Sequence, residues 1–367
     1  MRLTFTLSTY IGRKFLSGIA MAFAGMLTIV ALGDLVELIR RTADVKTGFT
    51  VVIEMLILKM PESGIQILPF AVLIGGMMTL TQMTRNNELV VARASGVSVW
   101  QFLMPAIILV LLLGTFFVTV FNPISAAMLS RFEQLEAKFI TGRTSMLAVS
   151  SSGLWIRQVE HDGGEVKEHI FHATKVEQEG LKLSEVIVFA LGDNNKFIGR
   201  LDAKTANLEQ KKWHLHDVTV NQPGHLPAHV DDVMLNTDLT TGQIQDSFAT
   251  PRTLSFWQLP GFIHTLEKAG FSAIHHRMYW HALLSSPILL CAMILVAAVF
   301  SLRLPRRGGV TLLIVAGVIT GFVVHFLTNL VFAFGQSGEI PVILAAWAPA
   351  LIALMIGGGL LLHFEDG

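Results

Sequence analysis

The sequence predicts an α-helical polytopic membrane protein, with six transmembrane helices arranged three and three around an inserted all-β domain. Two observations carry this. Apolar residues make up 52% of the 367-residue chain and charged residues 15%, with a mean hydropathy of +0.58, far above a soluble globular average. The apolar residues also gather into runs of about 20, the length that crosses about 30 Å of hydrocarbon at about 1.5 Å per residue. The stretch from Phe121 to Trp280 holds no such run.

In chain order the spans are Phe15–Leu38, Ile65–Met83, Val99–Phe121, Trp280–Phe300, Val310–Phe334 and Val342–Leu362. The second contains Pro69 and the pair Gly75–Gly76, which predicts a kinked or closely packed helix. Ala22-Phe23-Ala24 resembles a signal cleavage site, but the apolar run continues to Leu38, too long for a signal core, so no cleavage is expected. By span parity, Arg2, Arg13, Lys14, Arg85, Arg93, Arg303, Arg306 and Arg307 share one side, which positive charge assigns to the cytoplasm. Arg40, Arg41, Lys46 and Lys59 fall on the other side, weakening that bias without reversing it. Both termini are then expected in the cytoplasm and the insert in the periplasm.

The insert reads as β structure. "GLWIRQVE", "EHIFHATKVEQ", "EVIVFALG", "KFIGRLDAKTANL" and "WHLHDVTVNQ" are rich in Val, Ile, Phe, Trp and Thr, and the turn-forming clusters "HDGG", "GDNN", "EQKK" and "QPGH" separate them. This spacing predicts a sandwich or open barrel with Phe171, Phe189, Phe197 and Trp213 as its core. After Thr253 the period changes: Leu259, Phe262, Ile263 and Leu266 recur at helical spacing and Gly270 ends the pattern. The predicted division is therefore residues 1–130 for three spans and the loop near 85–98, 131–275 for the β domain and its linker helix, and 276–367 for the last three spans.

Composition and motifs exclude several classes. Formal net charge is zero, which gives no basic field for nucleic acid. One cysteine, Cys291, allows neither an internal disulfide nor a thiolate cluster and reads as a small buried hydrophobe. The sequence carries no GxxxxGK[ST] loop, HExxH or GxSxG, so no cofactor is expected and any ATP hydrolysis belongs to another chain. His275, His276 and His281 lie at a membrane-entry segment without a carboxylate or thiol at ligand spacing, and no metal is expected there. Ser150–Gly153 reads as a flexible start to the β domain, not as a catalytic serine.

The most informative stretch is "RNNELVVARASGVS", Arg85 to Ser98, between the second and third spans. Asn86 or Asn87 can cap a short helix, Glu88 and Arg93 suit its dipole at the two ends, and Gly96 can close it. Leu89, Val90, Ala94 and Val97 form an apolar stripe; Glu88, Ala92 and Ser95 form a smaller, more polar one. A helix of this kind either lies in the lipid headgroups or docks in a groove of a partner. In the docking reading Glu88 is the polar anchor, and Leu89 and Ala92 are the packed face.

Together with "YIGRKF", "PESGIQILPFAVLIGGMMTL" and "FSLRLPRRGG…GVITGF…AAWAPALIALMIGGGLLL", the stretch "NNELVVARASGVS" resembles the LptF/LptG permease family of the lipopolysaccharide exporter. The likeness covers nearly the whole chain, and "YIGRKF" and "FSLR" are closer to the LptG branch. The resemblance implies a β-jellyroll in the periplasm, an LptF-type sister permease, an LptB-type ATPase dimer, and passage of lipopolysaccharide from the outer leaflet of the inner membrane to LptC and LptA. It also implies that Glu88, Leu89, Ala92, Arg93, Ser95 and Gly96 form the ATPase-coupling helix. Some family members hold a phosphate-binding lysine at the outer end of the first span. This chain has Asp34 there, and Arg40 and Arg41 become the candidate lipid-phosphate contacts; on the residues alone, Asp34, Glu37, Arg40 and Arg41 equally read as an interfacial charge cluster.

Two other classes are open on the residues alone. Permeases of lipoprotein release or cell division also couple to an ATPase, but usually have four spans with the large domain after the first. A membrane scaffold would need no docking helix, and a membrane-embedded enzyme would need polar groups at depth, where His325 stands nearly alone.

Overall fold

A computed structural model describes residues 5–43, 48–141, 146–150, 153–162, 165–177, 182–192, 196–209, 212–237, 250–302 and 310–366. Arg2, Lys46, Arg303, Arg306 and Arg307 of the charge reading lie outside the described residues, as do Ser151 and Ser152. The chain divides into two compact units. One comprises Met1–Ile140, Arg252–Trp257 and Arg277–Gly367; the other comprises Thr141–Pro251 and Gln258–His276.

The first unit is helical. It contains α1 (Phe5–Thr42), α2 (Phe49–Arg85), α3 (Glu88–Ala94), α4 (Val99–Phe116) and α5 (Asn122–Glu136), with a π-helical segment Phe117–Phe121 joining the last two. After the second unit come α7 (Ile274–Ser301), α8 (Val310–Gln336) and α9 (Val342–Asp366), α6 being the linker helix below. Six described helical stretches are long and apolar enough to cross a membrane: Thr6–Thr42, Phe49–Arg85, Val99–Ile140, Ile274–Ser301, Val315–Gln336 and Val342–His363.

The third is longer than its hydropathy suggests. Helix continues from Val99 through the π segment and α5 to Ile140, 42 residues, or about 63 Å at the α-helical rise. The apolar run stops at Phe121 because α5 is amphipathic. Its Leu129, Phe132 and Leu135 pack on Leu38 of α1 and on Val52 and Met55 of α2, while its other residues are polar enough to break the run.

Within lipid, apolar side chains gain little by leaving their surroundings, so helices associate by close packing. A Cβ on Gly75 would lie 2.5 Å from Ile19 Cα and 2.7 Å from its amide nitrogen, so the backbones of α1 and α2 touch there. Around this contact Phe15 and Ile19 of α1 meet Val72 of α2, Phe102 and Leu103 of α4 and Ile294 of α7 in one buried core.

The second unit is a seven-stranded antiparallel sheet with its strands in chain order: β1 (Met146–Ser150), β2 (Gly153–Asp162), β3 (Glu165–Glu177), β4 (Lys182–Gly192), β5 (Lys196–Glu209), β6 (Lys212–Asn221) and β7 (Ala228–Asn236). The inserted all-β domain is thus present, with the strand order of a meander. It curls on itself. Phe171 on β3 and Trp213 on β6 are not on neighbouring strands, yet their rings lie 5.3 Å apart in the core. Gln158 on β2 donates to the Asn236 carbonyl at the end of β7 (3.2 Å) and accepts from Thr237 (2.8 Å).

The curl has a visible cause. Thr174, Glu185, Lys204, Asp217 and Asp231 fall side by side across β3 to β7, each skipped in the pairing register, and all are exposed. Glu185 and Asp217 have positive φ, 55° and 56°. At this crease the alternation slips by one: on β6 Trp213 and Leu215 point inward, and then Val218, not Asp217. Phe197, expected in the core, is 47% exposed, at the start of β5 beside a register shift. Phe189 is only part-buried and lies 6.0 Å beneath the Arg200 guanidinium.

The linker helix α6 (Leu259–Lys268) buries Leu259, Ile263 and Leu266, as its period predicts. Gly270, at φ 87°, ends it while Phe271 donates back to the Leu266 carbonyl.

Gly75→Ala should lower the stability of the purified protein by about 1–3 kcal/mol, the usual cost of overpacking. Gly25→Ala on α1, whose Cβ would meet nothing within 4 Å, should leave it unchanged. Thermal unfolding in mild detergent reads both; equal behaviour of the two variants would show that the α1–α2 contact is not limiting.

Candidate functional site

The loop between α2 and α4 is built from local signals. Asn87 takes the N-cap position of α3 in a left-handed conformation (φ 59°) without a side-chain capping bond. Asn86 instead donates to Glu88 Oε1 (3.2 Å). At the other end Gly96 has φ 82°, which favours glycine, and the amides of Gly96 and Val97 donate to the carbonyls of Arg93 (2.9 Å) and Ala92 (3.1 Å). Ser95 Oγ also reaches the Ala92 carbonyl, at 2.8 Å. Ser98 then caps α4 reciprocally with Gln101.

This geometry gives α3 two faces. Leu89 is 5% exposed and sits in the helical core, with Ala92 and Val97 packed against it. Leu89 and Ala92, assigned by sequence to a partner, therefore anchor the helix to its own bundle. Val90 and Val91 are 56% and 67% exposed, and Arg93, Ala94, Ser95 and Gly96 are also exposed. The outward face is thus apolar at Val90, Val91 and Ala94 and flanked by Glu88 and Arg93. Glu88 is held from a second direction by the Tyr10 hydroxyl of α1, 3.1 Å from Oε2, a contact 78 residues apart that no local pattern signals.

The candidate phosphate contacts sit at the opposite end of α1. Arg40 pairs with Glu37 (2.7 Å) and keeps 76% of its side chain exposed. Arg41 pairs with Glu136, tying α1 to α5. Asp34 accepts from Lys59 Nζ (2.7 Å) and Ser63 Oγ (3.0 Å) on α2, so the acidic residue sits beside a lysine supplied by the next helix. Among the histidines, His276 packs against Phe262 (5.1 Å between rings) and His281 accepts from Trp347 Nε1 (3.5 Å). Among the described residues no three His, Cys, Asp or Glu side chains gather as a metal site.

A polytopic membrane protein with a short helix joining two of its spans and an inserted β domain has the architecture of transporter permeases. The match to known sequences is specific: residues 9–363 fit the family described as lipopolysaccharide export system permease LptF/LptG, and the chain belongs to that family. It is 22% identical to the lipopolysaccharide export system permease protein LptG of Haemophilus influenzae, over 98% of this chain and 99% of that protein. It is 21% identical to LptG of Escherichia coli strain K12, over 97% of this chain and 98% of that protein.

Leu89→Ala should cost the helical unit about 2–5 kcal/mol, the range for deleting a buried leucine, with a matching loss of thermal stability. Val91→Ala, on the exposed face, should leave stability unchanged. A stable Leu89→Ala variant would mean that α3 is not anchored through that side chain.

Proposed function

We propose that this chain is the LptG-type permease subunit of an ATP-driven lipopolysaccharide exporter in the inner membrane. It pairs with an LptF-type sister permease on an LptB-type ATPase dimer, which alone hydrolyses ATP. Together the permeases take lipopolysaccharide from the outer leaflet of the inner membrane and pass it, by way of the β domain, to LptC and LptA. Family membership over residues 9–363 supports this reading, and the names of the relatives supply the cargo.

Coupling to the ATPase is assigned to α3. The observation that carries it is the exposed face of Val90, Val91 and Ala94 on a helix whose opposite side is pinned by Leu89. Apolar side chains held outside the spans in a fixed orientation are the pattern of a helix that lies in a partner's groove. Glu88 and Arg93 at its margins supply charge-assisted contacts, with Ser95 and Gly96 keeping the profile small enough to enter and Ala92 packed on the bundle side. Arg40 and Arg41 stand near the far end of the first span, where anionic phosphates of the cargo pass, and Arg40 is the more accessible of the two.

Val91→Asp should abolish co-purification of the ATPase while the chain still accumulates in the membrane. An unpaired charge buried in the groove costs several kcal/mol, and each 1.4 kcal/mol is about tenfold in affinity. Glu88→Ala should weaken the same association less. A Val91→Asp complex that kept its ATPase and exported lipid would leave α3 as a surface helix.

Orientation follows the positive charges. In a Cys291→Ala background, a membrane-impermeant thiol reagent applied from the periplasm should label His225→Cys in the exposed β6–β7 turn and spare Arg85→Cys. The reverse labelling would overturn the assignment of the β domain to the periplasm.

A further inference from the structure

Glu62 is a carboxylate only 5% exposed, in a helix long and apolar enough to cross the membrane. It lies about 34 Å along α2 from Arg85, the end that leads into α3. Gln66 donates to its Oε1 (3.1 Å), Ser125 of α5 donates to its Oε2 (3.4 Å), and the Arg252 guanidinium stands 3.6 Å from Oε1. Arg252 opens a short segment, Arg252–Trp257, that belongs to the helical unit although its chain neighbours on both sides, Pro251 and Gln258, belong to the β unit.

Further holds on this segment come from the same end of the bundle. Asn122, 1% exposed at the start of α5, accepts from the Phe256 amide (2.7 Å) and donates to the Tyr279 hydroxyl of α7 (3.3 Å). Trp257 Nε1 donates to the Thr119 carbonyl (3.0 Å), within the π segment, where a widened turn frees carbonyls from their usual helical partners. The Phe256 ring stacks on Trp280, 6.2 Å away at 16°. Buried polar groups need partners, and here the segment supplies them: without it Glu62 loses its guanidinium, and Asn122 its amide donor.

Glu62 stands on α2, and Thr119 and Asn122 on the continuous helix of α4 and α5. These are the two helices whose other ends meet at α3. We propose that Glu62, Asn122 and the Thr119 carbonyl form a fixed joint, within the helical unit, between the α2–α3–α4 hairpin and the segment Arg252–Trp257. A stroke received at α3 then displaces Arg252–Trp257, and with it the chain leaving the β unit at Pro251 and re-entering it at Gln258. The source of the stroke rests on the coupling role of α3 proposed above; the joint rests on the contacts just described.

The test uses the complete complex with its ATPase and sister permease, reconstituted in vesicles containing lipopolysaccharide, with a soluble lipid acceptor outside. Three quantities are read in Asn122→Ala, Arg252→Gln and the milder Trp257→Phe: ATP hydrolysis, lipid released per ATP, and hydrogen exchange at the Phe256 amide. Hydrolysis should stay near the unmodified rate. Lipid released per ATP should fall about tenfold in Asn122→Ala, the scale of one buried hydrogen bond lost, and less in Trp257→Phe, while Phe256 exchange rises in Asn122→Ala. Unchanged release per ATP in a complex whose Phe256 amide exchanges faster would overturn the joint, as would a parallel loss of hydrolysis and release in all three variants. Failure of the α3 reading shows separately, as a Val91→Asp complex that keeps its ATPase.

Discussion

The backbone contact between α1 and α2 at Ile19 and Gly75 sets the position of everything that bears on function. Hydrocarbon does not drive helices together as water does, so geometry must, and a missing side chain lets two backbones share the space one would fill. Once α2 is fixed against α1, its C-terminal end carries α3 into reach of Tyr10, and its N-terminal half brings Lys59 and Ser63 to Asp34. The same helix offers Met77 to α8, where a Cβ on Gly317 would lie 2.5 Å from the Met77 methyl. Small residues on α1, α2 and α8 thus do in lipid what large apolar ones do in the β domain.

That domain obeys the other regime. Its sheet surrounds Trp213 and Phe171, fully buried, and must bend to do so. The crease through Thr174, Glu185, Lys204, Asp217 and Asp231 supplies the bend, with positive-φ residues at two of its positions and exposed side chains along its length. Exposed Asp231, Asp232 and His229 also lie on β7, the last strand of the sheet, where charge discourages uncontrolled pairing with another strand.

Legibility in the sequence follows the range of the interaction. The spans, the β character of the insert, the turn at Gly96 and the stop at Gly270 are local, and each is readable from composition or from one residue's backbone preference. The direction of Leu89 is not: a helix of seven residues makes fewer than two turns, so an apolar stripe on it does not say which side is the core. The third helix outruns its hydropathy because α5 is held by one apolar face against α1 and α2. The pairing of Arg41 with Glu136, and of Lys59 with Asp34, exists only once distant helices meet. Phe197 lies outside the core for a related reason: strand alternation predicts the core only while the register holds.

The two ends of the α2–α3–α4 hairpin invert what their surroundings would select. Beyond the spans at one end, Val90 and Val91 are exposed; at the other, a carboxylate and an asparagine are buried. Water does not reward the first arrangement, and a low-dielectric interior penalises the second unless polar groups of protein complete it. At the Glu62 end that completion is visible, since Arg252 and the Phe256 amide belong to the segment that returns from the β domain. At the α3 end the coupling role proposed above has another polypeptide cover the exposed face, since Leu89 already commits the opposite face to the bundle. Stiff helices held at one end by their own chain, and open to a partner at the other, are suited to carrying force between two places that never touch.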